Sequence, residues 1–422
     1  MNKLRFRDAK LKSPGKQAER TIIDTFGDVG SFAKEIGMQE QSVRQYLKEI
    51  KLGSEAFKFK LCKALNKDLD EIVKSDREQI KDMVQSIYDN IKEYKSEEDI
   101  RVLERINRLC IENNLDFEIL KMQRNFAMAY FYGNQIKKAI GFMESFINSV
   151  KIPSYLVRWK SELGLMYFYC HEYKRAEELF EEVDSLLEKT EEIDKKTVFL
   201  HYYRFGILKS NIGSHSLAEN LFQKSLKYAQ TSIEIGRATM NIGISFEKRK
   251  KYEEALEYYN KALNVFEDDL SKSAVFNNLA EIYKLIKEYD KALYYIKLAF
   301  NCVGDKDLER LFVYYQTYAE VLINKGEVGE AIKELMQLLN RAEDRFVHKK
   351  FIIQGINVIM DYGWKTRDIK ILEDMEKLIY KSIKNVTLDN NEYIEKLKDC
   401  LGDVRVYIEN IENSIYEEKG GS

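Results

Sequence analysis

The sequence has few residues that interrupt helices. Its 422 residues include only two prolines, Pro14 and Pro153. Proline breaks the interior of a helix, whereas leucine, lysine and glutamate, which are abundant here, favour helices. We therefore predict a nearly all-α chain.

Long apolar runs are also missing. No stretch approaches the roughly 20 apolar residues that a membrane-spanning helix needs. The first twelve residues, MNKLRFRDAKLK, are basic but lack the apolar segment of a secretory signal. These absences predict a cytoplasmic protein without a membrane partner.

Recognisable catalytic and metal-binding patterns are absent as well. The five cysteines form no CxxC pair and the four histidines lack metal-ligand spacing, so we interpret the cysteines as reduced thiols that fill the core. There is no phosphate-binding glycine loop and no His/Cys or Ser/His/Asp constellation. We predict no metal, no cofactor and no enzymatic activity.

An excess of one charge is missing, since positive and negative residues nearly balance to a net charge of −2. The two signs are nevertheless unevenly distributed along the chain. Residues 1–74 contain sixteen Lys/Arg and eleven Asp/Glu, a balance of +5, and the remainder contains 52 and 59, a balance of −7. Such a division suits a small nucleic-acid-binding module on a larger acidic body. Ordinary scatter explains +5 over 74 residues equally well.

A repeated pattern organises most of the chain. A small residue is followed twelve residues later by alanine, and a large apolar residue follows four residues after that alanine. The small–Ala pairs are Ala127/Ala139, Gly164/Ala176, Gly206/Ala218, Gly243/Ala255, Ala280/Ala292 and Ala319/Ala331. The large residues are Met143, Phe180, Phe222, Tyr259, Ile296 and Leu335, and the alanines recur every 37 to 42 residues.

This spacing predicts close packing of antiparallel helices, since two helices approach only where both carry small residues. The pattern resembles the tetratricopeptide repeat, whose usual period is near 34. We predict an all-α fold in which an N-terminal helix-turn-helix bundle precedes a right-handed α-solenoid of tetratricopeptide-like hairpins. The predicted regions are a DNA-binding domain (1–74), linker helices (75–115), six repeats (116–346), and a degenerate repeat with capping and dimerisation helices (347–422).

The stretch SFAKEIGMQEQSVRQYLKEI, residues 31–50, carries the spacing of a helix-turn-helix. Ala33 lets two helices cross closely, Gly37 adopts the turn between them, and Val43 and Tyr46 hold the second helix on the first. It resembles the Cro/repressor type of helix-turn-helix. A helical hairpin that merely packs is the alternative.

The second helix of this stretch exposes polar residues that packing does not require. Gln and Arg pair with adenine and guanine edges in the major groove, and Ser and Lys suit phosphate contacts. The candidate DNA-binding residues are Gln39, Gln41, Ser42, Arg44, Gln45 and Lys48. Glu40 argues both for and against DNA binding, because it repels phosphate but can accept a hydrogen bond from cytosine.

A helix-turn-helix in front of tetratricopeptide-like repeats resembles the RRNPP group, the peptide-pheromone-responsive regulators of Gram-positive bacteria and their phages. The resemblance rests on Ala33, Gly37, Val43 and the six small–Ala pairs. It implies a quorum-sensing transcriptional regulator, in which a short linear signalling peptide in the concave groove changes DNA binding. It also implies a homodimer on double-stranded DNA with an inverted-repeat operator.

The resemblance also indicates which residues face the groove. Asparagine suits a peptide ligand, because its carboxamide both donates to and accepts from an extended backbone, and VFNNLAEIY resembles the motif of the group. The candidate peptide-binding residues are Arg124, Arg204, Asn211, Asn241, Asn277, Asn278, Glu281 and Gln316. An arginine among them would hold a peptide carboxylate. Asparagines that merely cap turns are the alternative.

A protein–protein adaptor is the rival function. Some relatives of the group bind signalling proteins through their N-terminal helices instead of DNA. The basic charge of residues 1–74 and the Arg44/Gln45 face favour DNA. The sequence leaves open the DNA site, the peptide and the direction of the switch.

Overall fold

The computed structural model describes residues 11–48, 54–190, 192–304, 307–334, 349–385 and 391–420. Within these ranges the chain is helical and contains no strand, which confirms the all-α prediction. None of the described helices is long and apolar enough to cross a bilayer. The chain divides into two compact units, Met1–Thr197 and Val198–Ser422. The domain boundaries predicted above are not the same as this division and stay predictions.

The first unit begins with five short helices whose ends follow from local chemistry. The Ser13 side chain accepts from Lys16 N in front of Pro14, and the Asp28 side chain accepts from Ser31 N, so both helices have a favourable N-cap. Gly37 has φ +65° and forms the turn predicted for it. The helices are α1 (Pro14–Phe26), α2 (Val29–Glu35), α3 (Glu40–Lys48), α4 (Glu55–Leu65) and α5 (Leu69–Ile72).

One apolar core joins these five helices. Ala33 and Val43 are buried where α2 and α3 cross, as the helix-turn-helix spacing predicts. Tyr46 packs on Phe57 of α4, with ring centroids 4.8 Å apart. Each fully buried large apolar side chain stabilises such a bundle by about 1.5–3 kcal/mol. The helix-turn-helix is therefore held by α1 and α4 as well as by its own crossing.

The remaining helices of the first unit are arranged as consecutive hairpins. Capping boxes at Ser75 and Ser96 start the first two, and these two helices, predicted as linkers, pack on the first repeat. The helices are α6 (Asp76–Asp89), α7 (Glu97–Glu112), α8 (Asp116–Tyr132), α9 (Ile136–Ile147), α10 (Pro153–Tyr169) and α11 (Tyr173–Leu187), with a 3-10 turn at Ile91–Glu93.

The second unit continues the helical hairpins, and the boundary between the units lies in the first turn of α12. Its helices are α12 (Lys195–Asn211), α13 (His215–Leu226), α14 (Ser232–Lys248), α15 (Tyr252–Val265), α16 (Asp269–Leu285), α17 (Tyr289–Val303), α18 (Leu308–Lys325), α19 (Lys349–Thr366), α20 (Ile369–Asn385) and α21 (Asn391–Gly420). Leu335, and with it residues 335–346 of the predicted repeats, lies outside the described residues.

The small–Ala pairs lie at the closest contacts inside each hairpin. All six alanines of the second helices are fully buried. A Cβ placed on Gly206 would come within 2.7 Å of the Phe222 ring, and one on Gly243 within 2.6 Å of the Tyr259 ring. The large residue therefore covers the small residue directly, which explains why the two recur together.

The turn inside each repeat has one backbone geometry. The residue seven positions after the small residue is left-handed in all six repeats, with φ between 61° and 86°. The N–H of the next residue donates to the carbonyl five positions earlier at 2.8–3.0 Å, the bond of a Schellman cap. These turn residues are Asn134, His171, Gly213, Lys250, Lys287 and Gly326.

Candidate DNA interface and peptide groove

The six predicted DNA-binding residues lie together on α3 or directly before it. Gln39, Gln41, Arg44, Gln45 and Lys48 are exposed, and Ser42 is half-buried. The opposite face of α3 is occupied by the buried Val43 and Leu47. The arrangement is therefore compatible with insertion of α3 into a major groove, and these residues stay predictions as DNA contacts.

Arg44 is engaged by carboxylates in this structure. Its Nε and Nη2 each lie 2.7 Å from Oε1 of Glu40, one helical turn earlier. Its Nη1 lies 3.9 Å from Oε1 of Glu19 on α1. Residues 14–48 contain five Lys/Arg and five Asp/Glu, so the positive charge of the N-terminal region lies outside the helix-turn-helix itself.

A recurring polar pair links the first helices of consecutive repeats. One member lies three positions before the small residue of a repeat, and the other lies two positions before the small residue of the next repeat. We call this the inter-repeat pair. The examples are Arg124/Glu162 in the first unit, and Tyr203/Asn241 at 3.1 Å and Asn277/Thr317 at 3.0 Å in the second.

The pair in the first unit is closed to solvent. Arg124 is 2% exposed and its Nε donates to Glu162 Oε2 at 2.8 Å, with a second bond from Nη2 to Oε1. Its guanidinium lies over the Tyr88 ring, 4.4 Å from the centroid, and the Tyr88 hydroxyl accepts from Trp159 Nε1 at 3.0 Å. Burial alone would lower the pKa of Arg124, but Glu162 outweighs it and raises that pKa. Arg124 thus already holds a carboxylate of the protein, and peptide binding by Arg124 or Arg204 stays a prediction.

The pair on α16 and α18 belongs to a larger polar network. The Thr317 hydroxyl lies 3.0 Å from Asn277 Oδ1 and also contacts the Glu281 carboxylate. Lys284 Nζ donates to Glu281 at 2.7 Å and to Glu320, and Gln316 Nε2 donates to Glu320 at 3.2 Å. The structure thus brings together three predicted residues, which are Asn277, Glu281 and Gln316.

Lys284 is the cation of this network. Burial alone would lower its pKa, but the carboxylates of Glu281 and Glu320 outweigh it and raise the pKa. The ammonium therefore remains charged at neutral pH. The network carries two carboxylates and one ammonium between α16 and α18.

The other predicted groove residues are separate from this network. Asn241 donates to the Tyr203 hydroxyl and, at 2.9 Å, to the carbonyl of Arg237. Asn211 is exposed and donates to the carbonyl of Ile207, while Arg204 is half-buried on α12.

Asn278 lies opposite an apolar position. It is the second member of an inter-repeat pair whose first member is Met240, so this pair cannot form a conventional hydrogen bond. Among the described residues, no hydrogen-bond partner is recorded for the half-buried Asn278 side chain. Its carboxamide keeps both donor and acceptor available.

Sequence reasoning missed Glu162, Thr317 and the aromatic residues around Arg124. Glu162 and Thr317 occupy the same register as Asn241 and Asn278, so the repeat alignment itself was a usable signal. Tyr88 carried no such signal, because it lies on α6, before the first small–Ala pair.

Comparison with known proteins supports the fold. A tetratricopeptide repeat family model matches residues 234–302, which correspond to α14–α17. Regulatory protein RapK of Bacillus subtilis (strain 168) is 20% identical over 273 residues, which are 62% of this chain and 72% of RapK.

Two solved structures are similar over most of the chain. The apo form of the quorum sensor NprR from B. thuringiensis is 15% identical, with a TM-score of 0.51 over 80% of this chain and 100% of that chain. A Rap protein complexed with competence and sporulation factor is 13% identical, with a TM-score of 0.50 over 81% and 99% of the two chains. The predicted resemblance to these regulators and the tetratricopeptide-like fold are confirmed. The named relatives are regulators and not enzymes, as predicted.

Proposed function

We propose that the chain is a cytoplasmic, homodimeric transcriptional regulator whose helix-turn-helix binds DNA and whose repeats bind a short linear signalling peptide. The supporting relatives are a quorum sensor and a Rap protein that carries competence and sporulation factor. Two helix-turn-helix modules related by two-fold symmetry would read an inverted repeat. If light scattering gives the protein mass of one chain, both alone and when bound to DNA, the dimer in this proposal is wrong.

Asn278 is the observation that carries the peptide-binding part. An extended peptide offers alternating N–H and C=O groups, and an unpaired carboxamide satisfies one of each. The neighbouring Asn277, Glu281 and Gln316 supply further polar groups through the network around Lys284. A peptide would exchange these bonds for its own without exposing an apolar core.

The peptide-binding proposal is tested with a library of synthetic short linear peptides on the purified full chain. We expect at least one peptide to raise the thermal melting temperature of the wild type, as any ligand specific for the folded state does. Asn278→Ala should lose this shift, because it removes the open carboxamide. The matched control is Asn260→Ala, an exposed asparagine on the second helix α15, which should keep it. Equal shifts in both variants would contradict the role of Asn278.

The DNA-binding part is carried by the confirmed turn at Gly37 and by the exposed polar face of α3. The test is a selection of genomic DNA fragments on the full chain, with the Arg44→Ala/Gln45→Ala double variant beside it. We expect the wild type to enrich one inverted-repeat site and the double variant to lose it, because Arg and Gln are base-reading side chains. Enrichment that persists in the double variant would refute the assigned face.

A protein–protein adaptor or inhibitor is the second candidate, and the electrostatics of the module favour it. The charge balance of residues 14–48 is neutral, and Arg44 is paired with Glu40. Both features weaken the attraction to phosphate on which DNA affinity depends. If no fragment is enriched at modest salt, with or without the peptide found above, the N-terminal helices bind a protein instead.

A further inference from the structure

Glu40 is the first residue of α3, and its carboxylate lies between Arg44 and Gly30 of α2, with 48% of the side chain exposed. Its Oε1 accepts from Nε and Nη2 of Arg44 at 2.7 Å. Its Oε2 lies where a Cβ on Gly30 would come within 2.8 Å. The carboxylate therefore bonds the guanidinium of Arg44 with one oxygen and has its other oxygen beside Gly30, an arrangement that favours one orientation of the guanidinium.

The contact leaves one edge of the guanidinium available. Glu40 uses the side that carries Nε and Nη2, so the outer edge with Nη1 and the second Nη2 proton remains. The Glu19 carboxylate approaches Nη1 only to 3.9 Å, beyond hydrogen-bond distance. A guanine presents two acceptors, O6 and N7, to such a pair of N–H donors.

We infer that Glu40 is a positioning residue that holds Arg44 for a two-bond contact with guanine. This inference rests on the proposed DNA-binding function. An arginine with fixed geometry loses less side-chain entropy when it binds, so the carboxylate increases discrimination between bases. The same negative charge repels phosphates and lowers affinity for every DNA sequence. Glu40 thus exchanges general affinity for specificity.

Two variants separate positioning from charge. Glu40→Gln removes the charge and weakens the bond to Arg44. Gly30→Ala changes no charge, but its methyl group would come within 2.8 Å of Glu40 Oε2 and displace that flexible carboxylate, while it also comes within 3.0 Å of the Asp28 carboxylate that caps α2. Glu35→Gln is the matched control, because Glu35 is an exposed carboxylate at the end of α2 with no recorded contact to Arg44.

The measurement is the dissociation constant of each full-length protein for the selected operator and for an unrelated duplex of equal length, at one salt concentration. The specificity ratio is the dissociation constant for the unrelated duplex divided by that for the operator. We expect this ratio to fall about fivefold in Glu40→Gln and in Gly30→Ala, which is part of the discrimination that one bidentate guanine contact provides. Affinity for the unrelated duplex should rise in Glu40→Gln and Glu35→Gln and stay constant in Gly30→Ala. In an Arg44→Ala background, Glu40→Gln should no longer change the ratio.

Three results would overturn the inference. An unchanged ratio in both Glu40→Gln and Gly30→Ala would show that Glu40 acts only through repulsion. A loss in Glu40→Gln that persists in the Arg44→Ala background would show that Glu40 contacts a base itself. A wild-type ratio near one would refute the proposed DNA-binding function, and the positioning role with it.

Discussion

The inter-repeat pair is used differently in the two units. In the first unit it is Arg124 with Glu162, an ion pair closed to solvent beneath Tyr88. In the second unit the same register holds Asn277 with Thr317, a neutral bond between a half-buried and a buried side chain. A buried charge is costly to leave unpaired, whereas the net contribution of a neutral hydrogen bond is small, so such a bond is replaced at a lower cost. The comparison indicates that one register provides rigidity in the first unit and a replaceable contact in the second.

The largest effect expected from this comparison follows removal of the buried carboxylate. Glu162→Ala leaves Arg124 charged and unpaired, so we expect the first unit to lose about 3–5 kcal/mol of unfolding free energy. The measurement is urea denaturation of Trp364→Phe protein, in which Trp159 is the remaining tryptophan. The control is Glu178→Ala, which breaks the exposed pair with Arg175 and should cost less than about 1 kcal/mol. Similar losses of unfolding free energy in the two variants would show that the buried ion pair is no more stabilising than the exposed one.

The next effect concerns the apolar contact inside a hairpin of the second unit. Gly206→Ala places a methyl group within 2.7 Å of the Phe222 ring, so we expect a loss of about 1–3 kcal/mol through overpacking. Gly402→Ala on α21 is the control, because nothing lies within 4 Å of its Cβ; it should gain about 0.5–1 kcal/mol. Chemical denaturation followed by far-ultraviolet circular dichroism measures both. A neutral Gly206→Ala would mean that the small residue is not required there.

A smaller effect is expected when the replaceable contact is removed. Thr317→Val keeps the shape but deletes the hydroxyl between Asn277 and Glu281, and both of these are half-buried. We expect a loss of about 1 kcal/mol or less, visible as slightly faster hydrogen exchange in α16 and α18. A loss as large as that of Glu162→Ala would show that the two units use the register alike.

The smallest effect is expected for Lys250→Gly, in the turn of the fourth repeat. Lys250 has φ +62° where the third repeat has Gly213 with φ +82°. Lys250→Gly relieves the left-handed strain but adds flexibility to the unfolded chain, so a net gain of about 0.5 kcal/mol is expected. Gly213→Lys should lose about 1 kcal/mol. Thermal melting compares the two variants. If both turns share one geometry, Lys250→Gly must raise the melting temperature and Gly213→Lys must lower it.

The sequence was sufficient to predict the hairpins and the α2–α3 crossing, because both depend on small residues at fixed spacing. Ala33, Gly37 and Val43 occupy the places predicted for them, and so do the buried alanines. Helix crossings require these residue types, so the pattern is visible without coordinates.

The chemistry between the repeats was less predictable. Arg124 and Glu162 are 38 positions apart, and each alone looks like a solvent-facing charge on a helix. Only the superposition of consecutive repeats shows that they meet. The turn residues Asn134, His171 and Lys250 share a backbone angle but no side-chain chemistry, so residue type did not indicate them. The exposure of Arg44 on α3 was predicted, but its hydrogen bond to Glu40 was not.

The common turn has a consequence for how an array of this kind changes its length. Each repeat crosses from its first helix to its second through the same left-handed residue and the same cap bond. Duplication or deletion of one whole repeat would therefore leave the turn inside every remaining repeat unchanged. The number of repeats can change in whole steps, and the length of surface offered to a partner changes with it.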